Sequence, residues 1–367
     1  MGSLSVFIYQ LGFMGALLVH GICHADTVPG SFVFGDSLVD AGNNNYIVSL
    51  SKANYIPNGI DFSPLRQPTG RFTNGRTIPD ILAGQELGLT SFAPPYLAPT
   101  TRGLATLQGV NYASGAGGIL NATGQLFGGR INLDAQIDNY ANTRQDTISI
   151  LGKAAASKLF QRGLFSVTMG SNDFINNYLT PVVSEAERKV SPDAFVEDMI
   201  SKYRLQLTRL YNLDARKIVV VNVGPIGCIP YQRDINPTAG NDCVAFPNQL
   251  AVAFNGRLRD LLPELSSNLK GSKFVFADVY SIVSDIIENY TNYGFEVPNS
   301  ACCRAGGRFG GLIPCGPISK FCSDRSKYIF WDPYHPSEAT NLIIAKRLLD
   351  GNWKDIFPVN IRKLVQA

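Results

Sequence analysis

The chain has 367 residues, enough for one large domain or two modest ones. Hydrophobic residues make up 45% and charged residues 17%, the balance of a globular protein with a substantial core. A net charge of +3, with no long basic run, gives no case for nucleic acid or an anionic membrane surface as partner.

The first 25 residues contain no Asp, Glu, Lys or Arg, and an apolar stretch runs from Val6 to Val19. Gly21-Ile22-Cys23-His24-Ala25 follows, and its small residues suit cleavage before Asp26. Residues 1–25 are therefore read as a signal peptide that directs secretion, although the usual positive start is missing. A stretch of 14 residues is short for a bilayer span, and no later segment reads as a stable membrane span.

Five β-branched runs then read as buried strands: Ser31–Gly35, Leu107–Tyr112, Leu164–Met169, Lys217–Val223 and Lys273–Val279. Near-continuous apolar character, as in Lys217-Ile-Val-Val-Val-Asn-Val223, is what parallel strands covered on both faces require. Apolar spacings of three and four predict helices over Ile78–Gly88, Pro192–Leu213 and Phe246–Leu269, with a terminal helix after residue 336. Strand alternating with helix predicts a doubly wound α/β sheet, and with no repeat or linker 26–367 reads as a single domain. Two long irregular stretches, Asn43–Arg76 and Asn292–Tyr328, are placed as loops shaping a cleft at the carboxyl ends of the strands.

Loss of the leader leaves six cysteines: Cys228, Cys243, Cys302, Cys303, Cys315 and Cys322. An even number in a secreted chain predicts disulfides. Spacing points to Cys228–Cys243, with the other four stapling the loop from Ala301 to Ser323; their pairing stays open. No histidine lies near these thiols and no paired C-x-x-C spacing occurs, so no metal site is predicted. The leader also takes two of three histidines, leaving His335 as the single imidazole.

Chemistry concentrates after the strands: Phe34-Gly35-Asp36-Ser37-Leu38, Asn111-Tyr112-Ala113-Ser114-Gly115-Ala116-Gly117-Gly118, Gly170-Ser171-Asn172-Asp173, and finally Trp331-Asp332-Pro333-Tyr334-His335-Pro336. Each block has a bland reading. Ser37 is a possible helix N-cap, the glycines a tight turn, Asn172 a capping residue and His335 an incidental one. The four together, in this order, are harder to dismiss.

The blocks Phe34–Asn44, Gly109–Gly115, Gly170–Phe174 and Asp332–Glu338 resemble the GDSL-type lipolytic esterases, or SGNH hydrolases, most closely their secreted plant branch. Pro68–Arg76 and Asn222–Cys228 extend the likeness over nearly the whole mature chain. The resemblance implies a flavodoxin-like three-layer α/β/α fold with about five parallel strands. It implies Ser37 as nucleophile, Asp332 and His335 as the rest of a triad, and an oxyanion hole from Ser37, Asn172 and the glycine turn. In that turn the donor is Gly115 or the next residue, Ala116.

Elementary chemistry agrees with these roles. A serine hydroxyl needs an adjacent base, imidazole can take and return the proton, and a carboxylate three residues before it can fix the tautomer. The expected activity is hydrolysis of carboxylic esters through an acyl-enzyme on Ser37. Acyl, lipid, cell-wall, sugar and aromatic esters all stay open as substrates. An acyltransferase using the same triad is the alternative, and a silent extracellular binding protein ranks below it. No phosphate-binding fingerprint occurs, so no cofactor is expected. Asn121-Ala-Thr123 and Asn289-Tyr-Thr291 are the glycosylation sequons. Oligomeric state is not legible.

Overall fold

Strand Ser31–Gly35 (β1) is buried along its whole length, as an internal strand of a covered sheet must be. The computed structural model describes residues 28–62, 66–180 and 190–367, so the predicted signal peptide lies outside the described residues. β1 pairs in parallel with Gly109–Asn111 (β2) and with Leu164–Thr168 (β3). Lys217–Val221 (β4) and Lys273–Ala277 (β5) extend the sheet in parallel. A sixth strand, Ile356–Phe357 (β6), closes the edge antiparallel to β5, giving the order β6-β5-β4-β3-β1-β2. The five parallel strands run 2-1-3-4-5, the flavodoxin-like order, whose switch point lies between β1 and β3.

Helices cover both faces. Leu133–Leu151, Pro192–Asn212 and Ala245–Asn268 pack together on one; Glu338–Asp350, with Ile78–Ile81, Val279–Glu288 and Ile361–Gln366 against it, covers the other. Beneath β1 the core is aromatic: Phe32 stacks on Phe165 and Phe34 on Tyr112, each at 4.9 Å, with the Tyr140 edge against Phe34. These rings are fully buried, and each contributes about 2–3 kcal/mol by leaving water.

The predicted helix over Ile78–Gly88 forms one α-turn, Ile78–Ile81, and continues as a wider π-turn over Leu82–Glu86. Helix Leu133–Leu151 escaped the sequence reading because half its buried face is polar: Gln136, Thr143 and Thr147 lie beside Leu133, Ile137 and Tyr140. β6 is two residues long and ends before Pro358, too short for any periodicity.

Among the described residues there are three disulfides: Cys228–Cys243, Cys302–Cys322 and Cys303–Cys315. The last two enclose a small second core in which Cys302, Cys303 and Cys315 pack on Trp331.

Candidate active site

The turn after β1 depends on Gly35. A Cβ there would lie 2.4 Å from Val39 Cγ2 and 2.6 Å from the Thr168 carbonyl, so any side chain would push β1 off β3. Buried Gln136 completes the strand end: its Oε1 accepts from Gly35 N–H at 2.9 Å and its Nε2 donates to the Gly35 carbonyl at 2.8 Å. Ser37 thereby sits at the carboxyl end of β1, at the switch point. Beside it, burial pushes the Asp36 carboxyl up to about 7, against the N–H of Leu38 and the nearby His335.

His335 arrives from the other end of the chain. Its Nε2 lies 2.8 Å from Ser37 Oγ, and its Nδ1 lies 2.8 Å from both oxygens of Asp332. Asp332 Oδ1 also accepts the N–H groups of Tyr334 and His335, each at 2.8 Å, which folds the Asp-Pro-Tyr-His turn around its carboxylate. A proton on Nδ1 satisfies Asp332 and leaves Nε2 as acceptor for the serine hydroxyl. The Phe72 ring stands 5.2 Å from the imidazole.

Two neighbours hold this turn. Thr73 Oγ1 donates to the Pro336 carbonyl at 3.1 Å, and Asn74 Oδ1 accepts the Glu338 N–H at 2.8 Å. On the other flank the cysteine loop pairs with the incoming strand, Cys303 N–H donating to the Trp331 carbonyl and Cys302 N–H to that of Phe330.

The glycine turn is set by Asp40. Its Oδ1 accepts from Gly42 and Asn43 at 2.7 Å, and its Oδ2 accepts from Gly115 N–H at 3.1 Å. Burial lifts its pKa to about 6 in spite of these donors. The Gly115 N–H is thus directed at Asp40, and the residue of this turn that lines the cleft is Ala116, held at φ +65°. Neither the Ser37 nor the Ala116 N–H meets an acceptor among the described residues. Asn172 Nδ2 gives one hydrogen to the Gly117 carbonyl at 2.9 Å, while its Oδ1 accepts from Asn176 at 2.6 Å. That orientation leaves the second amide hydrogen for the cleft.

Several residues that do this positioning carry no chemical signature in sequence. Asn43 Nδ2 donates to the carbonyls of Asn111 and Ala113, Ser114 Oγ donates to Asn44 at 2.5 Å, and Gln136 reaches Gly35 across 101 residues. Asp173 accepts from Ile119, Leu120 and Thr123, and burial lifts it too to about 6. Asn43, Asn44, Ser114 and Asp173 lie inside the recognised blocks, their one signal in sequence, whereas Gln136 lies outside them all.

The family description GDSL-like Lipase/Acylhydrolase matches residues 32–348, which span the nucleophile turn, the glycine turn and the imidazole. The chain belongs to the GDSL lipase/acylhydrolase family. A GDSL esterase/lipase of Arabidopsis thaliana is similar at 62% identity, over 99% of this chain and 98% of that protein. Two further GDSL esterase/lipases from the same plant are each 56% identical over 91% of this chain, covering 87% and 90% of their own lengths. As a GDSL-family member it is an ester-hydrolysing serine hydrolase. Its cleft, about 200 Å³, joins Ser37, Ala116, Asn172 and His335 to apolar walls. One set of wall residues comes from β4 and the helices behind it, including Val221, Val279 and Ile344; the other comes from loops, including Leu50, Phe127 and Pro314.

The GDSL fold brings Ser37, Asp332 and His335 into one hydrogen-bonded line and sets Asn172 on the same cleft. Both sequons are exposed at the asparagine but differ at the hydroxyl. Thr291 is exposed, whereas Thr123 is buried and donates to Asp173 at 2.7 Å. Among the described residues no cluster of His, Cys, Asp or Glu could hold a metal ion.

Proposed function

We propose that the protein is secreted and hydrolyses carboxylic esters with apolar acyl groups, through an acyl-enzyme on Ser37. The observation that carries this reading is the line Ser37 Oγ–His335 Nε2 and His335 Nδ1–Asp332, 2.8 Å at each step, opening on an apolar cleft. His335 takes the Ser37 proton as the hydroxyl attacks the ester carbonyl, and Asp332 stabilises the imidazolium. The Ser37 and Ala116 N–H groups and the free Asn172 amide hydrogen receive the oxyanion. One such donor is worth about 10²–10³ in rate, or ~3–4 kcal/mol. The imidazolium then protonates the leaving alcohol, and His335 activates the water that releases the acid.

Apolar walls favour an acyl chain over a sugar acid, because unpaired hydroxyls buried there would cost about 1–3 kcal/mol each. Disulfides within a leader-bearing chain support passage through an oxidising compartment. Turnover of a short p-nitrophenyl ester by wild type, Ser37→Ala, His335→Ala and the double variant tests the mechanism. Each single variant should lose nearly all turnover and the double should be scarcely worse, since the residues act as one unit. A folded His335→Ala that keeps about a tenth of kcat would exclude the triad, since His335 is the only histidine among the described residues.

A further inference from the structure

The mouth of the cleft is built by segments 43–60, 112–132 and 299–323. They are tied together: Leu50 N–H donates to the Phe127 carbonyl, Gly129 N–H to that of Val48, and Tyr55 OH to that of Cys315. Leu50, Phe127 and Cys315 face the cleft itself.

Outside the cleft these same segments hold apolar side chains out in water. Among the described residues the three most exposed large hydrophobic side chains are Ile318 at 98%, Val48 at 93% and Leu50 at 81%. Ile56, Leu126 and Ile313, each more than half exposed, lie on the same segments. Single exposed apolar residues need no explanation, but a set gathered on the loops around one opening marks an interaction surface.

Charge is distributed just as unevenly. The chain has 29 acidic residues, yet segments 43–60, 112–132 and 299–323 contain none, while they carry Lys52, Arg130, Arg304, Arg308 and Lys320. The overall charge of +3 concealed this arrangement. The carboxylates that border these segments are partly neutralised, Asp61 by Arg325 and Asp234 by the N–H groups of Phe309 and Gly311, with Asp324 at the edge of the third segment. Apolar tips on segments whose own charges are all cationic match an interface of acyl chains under anionic head groups.

We infer that the rim of the cleft, led by Val48 and Ile318, docks the enzyme on the surface of an aggregated anionic lipid. The rim is continuous with the cleft through Leu50, Phe127 and Pro314, so an acyl chain can pass from the lipid phase to Ser37 along an apolar wall. Docking deepens the ester-hydrolase reading and rests on it for its purpose, but it is tested without turnover.

Ser37→Ala protein is mixed with vesicles of phosphatidylcholine alone, or with about 30 mol % phosphatidylglycerol, and the bound fraction is measured by sedimentation. Binding should require the anionic lipid and weaken in about 0.5 M salt. Adding Val48→Ser and Ile318→Ser should reduce binding by roughly tenfold or more, as expected when two apolar side chains no longer leave water. On an active background, the same two changes should leave kcat/KM for water-soluble p-nitrophenyl acetate within about twofold, because neither side chain lines the cleft. Vesicle binding that ignores the two substitutions, or no binding at all, overturns the proposal. So does a dimer that the substitutions dissociate, which would make the rim a contact between copies. Loss of ester hydrolysis in the active protein, with vesicle binding intact, would instead count against the catalytic reading alone.

Discussion

Asp40→Asn isolates the claim that a buried carboxylate sets the oxyanion turn. The substitution keeps an oxygen for Gly42 and Asn43, but turns an NH₂ group toward the Gly115 N–H that Asp40 Oδ2 now accepts at 3.1 Å. Two donors then face each other in a site with no exposure to solvent. One unsatisfied buried donor costs about 1–3 kcal/mol. If the turn moves to relieve it, Ala116 moves with Gly115 and one oxyanion donor is misplaced. Partial loss of a donor worth ~10²–10³ predicts that kcat on a p-nitrophenyl ester falls by about 10–100-fold, with KM within about threefold. Measured well above the Asp40 value of about 6, the effect is not confused with protonation. A variant with lowered melting temperature and unchanged kcat would show that Asp40 supports the fold without setting the catalytic turn. Unchanged kcat and unchanged melting temperature would mean the Gly115 contact contributes nothing.

Three further outcomes follow. Ala116→Gly keeps the backbone N–H and suits φ +65°, so activity should stay within about twofold; a hundredfold loss would argue against a backbone donor there. Replacing Cys303 and Cys315 by Ser should cost ~3 kcal/mol from loop closure and depress activity, since the Cys303 N–H donates to the carbonyl of Trp331, the residue directly before Asp332; an unaffected denaturation midpoint would refute this. Burial raises Asp36 to about 7 and Asp40 and Asp173 to about 6 from 3.8, so the folded state holds these protons more tightly than the unfolded one. Their contribution to stability is full below 3.8 and is lost as pH rises through 6–7, so the melting temperature should rise on acidification from neutral toward 5. Asp80 behaves oppositely: burial opposes its charge, but Arg71 holds it below 3.8 and its contribution is lost only in stronger acid. A melting temperature that falls steadily from neutral pH downward would contradict the sign.

Glycosylation should favour Asn289, whose Thr291 is exposed, over Asn121, whose Thr123 is buried against Asp173. Mass analysis of secreted protein before and after enzymatic deglycosylation checks this, and a glycan on Asn121 alone would contradict it.

The residues legible in sequence were those whose chemistry is rare in combination. Ser37, Asn172, Asp332 and His335 stand in short blocks at strand ends, and alternation of strand and helix gave the sheet. What escaped was long-range or unpatterned. Gln136 works on Gly35 from 101 residues away, on a helix whose inward face is half polar. Asp40 meets Gly115 across 75 residues, a contact that no local spacing in the glycine turn encodes. The nested pairing of Cys302–Cys322 around Cys303–Cys315 depends on how the loop folds over Trp331, which spacing does not encode.

The central claim is that Ser37 carries the acyl group. The most direct measurement treats the protein with a fluorophosphonate ester reagent, digests it and locates the mass increase by peptide sequencing. A stoichiometric adduct on Ser37, greatly slowed in His335→Ala, is the predicted result. An inactivated enzyme with the adduct on any other residue, or with Ser37 unmodified, would contradict the account.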